Sequence, residues 1–156
     1  MKVLITTIPF AEEERRPLDL LEQAGADVVI NPLGRKLRER DLLEIISDFD
    51  VLIAGTDPIT EAVLSQASCL KLISRVGIGL DSVNLIVARR REIEVCYTPD
   101  APSAAVAELT IGLMIDLLRL VQVSNHRMHQ GEWYRYSGRR LSKVTIGIIG
   151  AGRVGS

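Results

Sequence analysis

Two features of the sequence predict an α/β fold built on a parallel sheet. Short runs rich in Val, Ile and Leu alternate with longer amphipathic segments over residues 1–99. Glycine-rich segments follow two of the apolar runs, as they do where a strand leads into a helix at a ligand-binding edge. Strands separated by helices pair in parallel, because each crossover returns the chain to the same edge in the same direction.

Local patterns place the elements of this sheet. Strands are predicted over residues 2–7, 27–30, 51–54, 72–74 and 94–97, and helices over residues 11–24, 39–47, 60–67 and 83–91. Gly25 is expected to end the first helix, and Asp81 or Ser82 to cap the fourth. This order of elements is typical of a flavodoxin-like doubly wound sheet.

The alternation stops at residues 98–102, where two prolines flank Asp100, and a domain boundary is expected there. Ser103 is a suitable N-cap for a long helix over residues 103–129, whose apolar positions follow helical spacing. Such a helix would measure about 40 Å, enough to bridge two domains, and its apolar first half predicts burial on several sides. Glu108 and Asp116 interrupt the apolar run, which is shorter than the about 20 apolar residues of a membrane span.

Residues 144–149 are predicted to form a buried strand that leads into the pattern G-x-G-x-x-G. In a Rossmann dinucleotide-binding turn, Gly150 permits the tight turn, Gly152 lets a pyrophosphate approach the backbone, and Gly155 lets the following helix pack closely. The alternative is an ordinary glycine-rich turn. An acidic residue about 20 positions further on indicates NAD. This chain does not extend to that position, so NAD and NADP both stay open.

A second glycine-containing loop, residues 75–81, follows the fourth predicted strand. Gly77 and Gly79 remove side chains at the carboxyl end of the sheet, where open α/β folds bind ligands. The backbone N–H groups exposed in this way are suited to hold a carboxylate. The alternative is a tight strand-to-helix turn capped by Asp81.

Composition argues against several classes of partner. The chain has 156 residues with 19 Lys and Arg against 20 Asp and Glu, so no net basic charge attracts nucleic acid or an anionic membrane.

Cys69 and Cys96 are isolated and expected to be buried, reduced thiols. His126 and His129 lack a third nearby ligand, so no metal site is predicted. The first apolar run is too short for a signal peptide, and a cytoplasmic location is expected.

Taken in order, these motifs resemble the D-isomer-specific 2-hydroxyacid dehydrogenase family. The matching segments are residues 70–81, 106–110 (Val-Ala-Glu-Leu-Thr), 131–133 (Gly-Glu-Trp) and the glycine pattern at 150–155. The resemblance covers nearly the whole chain. It implies that residues 1–99 form a substrate domain, residues 100–142 a bridging helix and arm, and residues 143–156 the start of an NAD-binding Rossmann domain.

The resemblance also assigns roles to matching positions. The backbone at Ile78 and Gly79, with Gly77 nearby, would bind the substrate carboxylate, and Arg75 would support that loop. Thr110 would contact the cofactor, although a helix Thr also bonds to its own backbone. The turn that would bind the pyrophosphate of NAD, or of NADP, consists of Gly150, Gly152, Arg153, Val154 and Gly155.

Hydride transfer between a nicotinamide and a 2-hydroxy acid is the chemistry that the resemblance implies, with D-3-phosphoglycerate one candidate substrate. The family's catalytic His, Glu and Arg match no position in this chain, so the fragment alone is expected to be inactive. Trp133 and Tyr134 match an arm that packs against a second subunit, which implies a homodimer.

Some positions depart from the family's pattern, and other functions stay open. Ala54 and Gly55 stand where phosphoglycerate-specific members often have an Arg-Ser pair, and Tyr97 and Pro102 stand where Asn is common.

A dinucleotide-sensing corepressor of the same family is the main alternative function, and a ligand-free structural module is another. A receiver-type regulatory domain would need clustered acidic residues after the first strand, where this sequence has two threonines.

Overall fold

Five strands form one parallel sheet in the computed structural model, which describes residues 1–155. Met1–Pro99 and the residues from Asp100 onward form two separate compact units, and the sheet belongs to the first. The strand order is β2-β1-β3-β4-β5. The strands are β1 (Lys2–Ile5), β2 (Asp27–Ile30), β3 (Val51–Ala54), β4 (Leu72–Arg75) and β5 (Glu94–Tyr97). The predicted flavodoxin-like sheet is therefore confirmed.

Helices cover both faces of this sheet. They are α1 (Arg16–Gln23), α2 (Glu39–Ile45), α3 (Glu61–Gln66) and α4 (Leu85–Arg90), with a 3-10 turn at Ile46–Asp48. Because successive side chains of a strand point to opposite faces, β1 sends Leu4 to one face and Val3 and Ile5 to the other. Leu4 lies in the main core with α2, α3 and α4, whereas Val3 and Ile5 pack with α1. Because these helices lie on the faces of the sheet, the loops at the carboxyl ends of the strands are available to form a site.

The start of α1 and the exposure of the cysteines differ from the prediction. α1 begins at Arg16 rather than at residue 11, because Ala11 has a φ of 56° and Pro17 lies in the first turn, where its fixed φ suits a helix start. Cys69 and Cys96 are both exposed, not buried. Cys69 lies in the loop before β4, and Cys96 lies on β5, which is an edge strand.

The cap of α4 is also different from the predicted one. Asn84, rather than Asp81 or Ser82, caps the helix, because its side chain accepts a hydrogen bond from the N–H group three residues later at 3.1 Å. A parallel β-bridge between Ile59 and Val83 keeps the preceding backbone extended. The helix therefore starts only after this bridge.

Two helices, not one, lie within residues 103–129 of the second unit. They are α5 (Ser103–Arg119) and α6 (Val121–His129), and a 3-10 turn follows at Leu141–Lys143. Leu120 separates them in the left-handed conformation, with φ 55° and ψ 41°. The single helix predicted over residues 103–129 is therefore wrong.

Backbone groups on either side of Leu120 form hydrogen bonds with other partners within the second unit. The Asp116 carboxylate accepts a hydrogen bond from the Gln122 N–H at 2.9 Å, as an N-cap side chain does. The Leu118 carbonyl accepts one from the Arg139 N–H, also at 2.9 Å. Such partners stabilise a left-handed Leu that costs roughly 1–2 kcal/mol.

Most of the large apolar side chains of α5 are exposed, contrary to the expected burial. Leu109 is 63% exposed and Leu117 is 76% exposed. Within its own unit, α5 packs against α6 and the 3-10 turn, and these two short elements cover little of it. Across residues 1–155, no helix is both long enough and apolar enough to cross a membrane.

Residues 144–149 do not form the predicted strand. Ile148 is 65% exposed and Ile149 is fully exposed. A strand needs a neighbouring strand for its backbone hydrogen bonds, and none lies between residues 100 and 155. An apolar run that is strand-like in sequence therefore stays irregular here.

Candidate functional site

The loop that leaves the carboxyl end of β4 is fixed by its first glycine. Gly77 has a φ of 141°, and a Cβ at this position would lie 2.5 Å from Arg75 Nη1. The Gly77 N–H donates to Thr98 Oγ1 at 2.9 Å, and the Gly77 carbonyl accepts from the Thr98 N–H at 3.1 Å. The loop is thereby fastened to the segment that follows β5.

The next two backbone N–H groups of this loop are available to a ligand. Among residues 1–155, neither Ile78 nor Gly79 donates its N–H to a protein acceptor, and both residues are exposed. Adjacent unpaired N–H groups are the donors that hold a carboxylate in backbone anion sites. Gly77, Ile78 and Gly79 thus lie in one loop, but the Gly77 N–H is already engaged.

Arg75 ends β4 and packs against this loop. Its side chain is buried, with the residue 8% exposed, and the guanidinium donates to the Val76 carbonyl and contacts Gly77. Its Nε atom is buried and has no hydrogen-bond partner among the described residues. Arg75 therefore supports the loop and still carries one unused donor.

A cavity of about 190 Å³ opens beside Arg75 at the same edge of the sheet. Its lining comes from the carboxyl ends of β1, β3 and β4 and from the segment before α2, and consists of Thr6, Thr7, Ile8, Lys36, Gly55, Thr56, Asp57, Arg75 and Val76. The Asp57 carboxylate is buried, and its Oδ1 accepts a hydrogen bond from the Leu37 N–H at 2.9 Å. Its Oδ2 has no partner among residues 1–155.

Among the residues of this cavity, sequence reasoning gave a site role to Arg75 alone; it noted Gly55 only as a departure from the family's pattern. A signal was present, because Thr6 and Thr7 follow β1 directly and Thr56 and Asp57 come just after β3. The strand order places β1 beside β3 and β3 beside β4. Polar residues at the carboxyl ends of three adjacent strands must therefore meet.

The glycine turn of the second unit is close-packed around Gly150 and Gly155. Gly150 has a φ of 89°. A Cβ on Gly155 would overlap the Gly150 carbonyl oxygen, whereas a Cβ on Gly152 would meet no atom within 4 Å. The turn needs glycine at both ends for its own geometry, and it leaves open space over Gly152.

Three other predicted cofactor residues lie on the surface of the second unit. Arg153 forms an exposed ion pair with Asp100, with 2.8 Å between Nε and Oδ1. Val154 is 36% exposed. The Thr110 hydroxyl donates to the Val106 carbonyl at 2.7 Å, so the bond to its own helix is present, and the hydroxyl oxygen can still accept one from a ligand.

The arm after α6 carries exposed aromatic side chains. Trp133 is 73% exposed and Tyr134 is 60% exposed. The Arg127 guanidinium lies 5.6 Å from the ring centres of both Tyr134 and Tyr136, which are cation–π distances. Within residues 1–155, no group of three or more His, Cys, Asp or Glu side chains is placed to hold a metal ion.

Comparison with known proteins identifies relatives of this arrangement. The sequence profile of the family described as "D-isomer specific 2-hydroxyacid dehydrogenase, catalytic domain" matches residues 3–151. A D-3-phosphoglycerate dehydrogenase of Methanocaldococcus jannaschii is 37% identical, and the match covers 99% of this chain and 29% of that protein. A hydroxypyruvate reductase of Thermotoga maritima is 34% identical, with 88% of this chain and 47% of that protein covered. The chain spans less than half the length of these relatives.

A solved structure shows the same fold. The 3-phosphoglycerate dehydrogenase of Entamoeba histolytica, crystallised with bound NAD+, has a TM-score of 0.78 and 33% sequence identity to this chain. The match covers 99% of this chain and 48% of that one.

Proposed function

The chain belongs to the D-isomer specific 2-hydroxyacid dehydrogenase family, and from that premise we propose that the whole protein interconverts a 2-hydroxy acid and a 2-oxo acid with NAD or NADP. The observation that carries the proposal is the pair of unpartnered N–H groups at Ile78 and Gly79, beyond the carboxyl end of β4. The carboxylate is the group that both acids share, and two neighbouring donors suit its two oxygens. The names of two relatives make 3-phosphoglycerate and hydroxypyruvate candidate substrates.

We infer that the glycine turn of the second unit would receive the diphosphate of a dinucleotide. Open space over Gly152 would let the diphosphate approach the backbone, while Gly150 and Gly155 maintain the turn. Arg153 would exchange its exposed partner Asp100 for a phosphate, and Val154 would present its backbone. The nicotinamide, when bound, supplies or accepts the hydride.

We assign the parts of the chain as the family pattern implies. Met1–Pro99 would be the substrate domain, residues 100–142 the connection and arm, and residues 143–156 the beginning of the nucleotide domain. The exposed Trp133 and Tyr134 of the arm support assembly as a homodimer, and the metabolic role proposed agrees with a cytoplasmic location. No residue of this chain matches the family's catalytic His, Glu and Arg, so the chain by itself is expected to be inactive.

The test is NADH or NADPH oxidation by the whole protein with pyruvate, glyoxylate, hydroxypyruvate and 3-phosphohydroxypyruvate, with this chain alone as the control. We expect turnover of at least one acid by the whole protein and none by the chain. Dinucleotide binding without turnover of any acid would contradict the proposal and favour a dinucleotide-sensing corepressor.

A variant of the loop tests the carboxylate site separately. Ile78→Pro removes one of the two free N–H groups, whereas Ile78→Leu keeps it. Because a hydrogen bond to a charged group contributes roughly 1.5–3 kcal/mol, we expect KM for the preferred acid to rise by about 10- to 100-fold in Ile78→Pro alone. Equal KM values in both variants, at unchanged thermal stability, would exclude Ile78 as a carboxylate donor.

A further inference from the structure

Thr98 fastens the candidate carboxylate loop to the end of the sheet. Its Oγ1 atom accepts a hydrogen bond from the Gly77 N–H at 2.9 Å, and its own N–H donates to the Gly77 carbonyl at 3.1 Å. Within the part of the chain that the structure describes, backbone groups of residues 77–79 form no other hydrogen bond with the protein. These three residues therefore depend on Thr98 for their attachment.

The composition of the loop makes this attachment necessary. Gly77 and Gly79 have no side chain to pack, and glycine has more conformational freedom to lose on folding than any other residue. The last backbone bond before the loop joins the Val76 N–H to the Ala54 carbonyl at 2.9 Å. Without the bonds to Thr98, the backbone after Val76 would be free to take several conformations.

The residues on either side of Thr98 restrict its own backbone. Thr98 directly follows β5, and the last pair of the ladder joins Tyr97 of this strand to Arg75 of β4. Pro99 comes next, and a residue before proline is restricted to extended conformations. The β-branched side chain of threonine also has few χ1 rotamers. The hydroxyl therefore reaches Gly77 from a residue that has little freedom to move away.

The bond to Thr98 also determines which N–H groups a ligand meets. The Gly77 N–H is occupied, whereas the N–H groups of Ile78 and Gly79 have no protein acceptor among the described residues. Two neighbouring donors suit the two oxygens of a carboxylate. A loop that is held in place before the ligand arrives loses less conformational entropy on binding, so the attachment at Gly77 favours binding at the next two residues.

We propose that Thr98 is a positioning residue, whose hydroxyl group holds the carboxylate loop in its binding conformation. The inference rests on the proposed function, because the ligand of the loop is the carboxylate of the 2-hydroxy or 2-oxo acid. Thr98 does not touch the substrate in this assignment and acts through Gly77. Loss of the hydroxyl should therefore weaken binding of the acid and leave the chemical step unchanged.

The experiment measures KM and kcat of the whole protein for its preferred acid in Thr98→Val and Thr98→Ser. Thr98→Val keeps the shape and the backbone bond but removes the acceptor for the Gly77 N–H, whereas Thr98→Ser keeps the acceptor. Loss of binding that is equal in ground and transition state raises KM at unchanged kcat. We expect KM to rise about three- to tenfold in Thr98→Val and less than about twofold in Thr98→Ser. An unchanged KM in a folded Thr98→Val protein, or equal rises in both variants, would overturn the proposal.

The matched control is Thr60→Val. Thr60 Oγ1 also accepts a hydrogen bond from a backbone N–H, that of Val63 at 3.4 Å, but Thr60 caps α3 and does not belong to the loop. A variant that is only less stable contains less folded enzyme, which lowers the apparent kcat and leaves KM unchanged. We expect an unchanged KM in Thr60→Val. A rise in KM as large as that of Thr98→Val would overturn the proposal, because KM would then not depend on the loop.

The outcome is separable from that of the proposed function. If the whole protein turns over no acid, the dehydrogenase proposal fails, and calorimetric titration with pyruvate, glyoxylate, hydroxypyruvate and 3-phosphohydroxypyruvate decides the role of Thr98. An affinity that falls about three- to tenfold in Thr98→Val and is retained in Thr98→Ser would support the positioning role. Equal affinities of wild type and Thr98→Val, or no binding of any of these acids to the wild type, would overturn it.

Discussion

One glycine controls the backbone of the candidate carboxylate loop. Gly77 combines a φ of 141° with a position where a Cβ would lie 2.5 Å from the guanidinium of the buried Arg75. We expect Gly77→Ala to lower the free energy of unfolding by about 2–3 kcal/mol, because a strained φ alone costs on the order of 1–3 kcal/mol. Urea unfolding measures the loss, and titration of the preferred acid should show weaker binding.

The matched control is Gly25→Ala. Gly25 also has a positive φ, 69°, but a Cβ there meets no atom within 4 Å. We expect a loss of about 1 kcal/mol from the backbone conformation and no change in affinity for the acid. Equal losses in both variants, with equal affinities, would show that the contact with Arg75 does not shape the loop.

We expect an ion pair at the start of α2 to make stability depend on pH. Arg35 Nη1 lies 2.7 Å from Asp41 Oδ2, and the Arg38 N–H donates to the same oxygen at 2.8 Å. The hydrogen bond from Arg35, then that from Arg38, holds the pKa of Asp41 far below its usual range. A lowered pKa in the folded state adds stability above the usual Asp value of about 3.9, and this stability is lost as the pH falls toward the lowered value.

We expect Arg35→Gln to raise the pKa of Asp41 and to remove part of this stability. The difference in unfolding free energy between wild type and variant should be full at neutral pH and shrink below about pH 4. Arg40→Gln is the control, because Arg40 lies 3.7 Å from Asp41 and is the weakest cause of the shift. Chemical unfolding across this pH range measures both, and a difference that does not change with pH would contradict the assignment to Asp41.

At the scale of elements, we expect one carboxylate to contribute to the stability of the junction of α5 and α6. Asp116 accepts a hydrogen bond from the Gln122 N–H at 2.9 Å, across the left-handed Leu120. Since loss of such a cap costs about 1 kcal/mol, Asp116→Ala should speed amide hydrogen exchange in the first turn of α6 by about fivefold. Asp116→Asn keeps the acceptor oxygen and should retain most of the protection. Equal exchange in wild type and Asp116→Ala would mean that the bond does not hold the junction.

Bounds that local sequence marks were predictable, whereas features that depend on contacts with distant residues were not. The strands β2, β3 and β5 have the predicted bounds, because Asn31, Gly55 and Thr98 end their apolar runs at the carboxyl side. The break at Leu120 was not predicted, because no glycine or proline marks it in the sequence. Hydrogen bonds from distant residues such as Arg139 stabilise it instead. Residues 144–149 have a strand's composition but lack a neighbouring strand among residues 100–155.

At the scale of the molecule, the sequence predicts the loop of the candidate site but not the cavity beside it. The loop of Gly77, Ile78 and Gly79 is one continuous segment, so its glycines identify it in the sequence. The cavity that includes Asp57 and Arg75 joins residues from β1, β3 and β4. It exists only because the order of the sheet makes these strands neighbours, and no single segment of sequence contains that information.

We expect the exposed apolar side chains of the second unit to make this chain self-associate. Leu109 and Leu117 on α5 and Ile149 are all more than half exposed, and exposed apolar patches favour association. Sedimentation of the 156-residue chain should therefore show concentration-dependent oligomers. Replacing both Leu109 and Leu117 with Gln should shift the distribution toward monomer, whereas Leu20→Gln, at an exposed position on α1, should not. A monodisperse wild-type monomer at every concentration would exclude association through this surface.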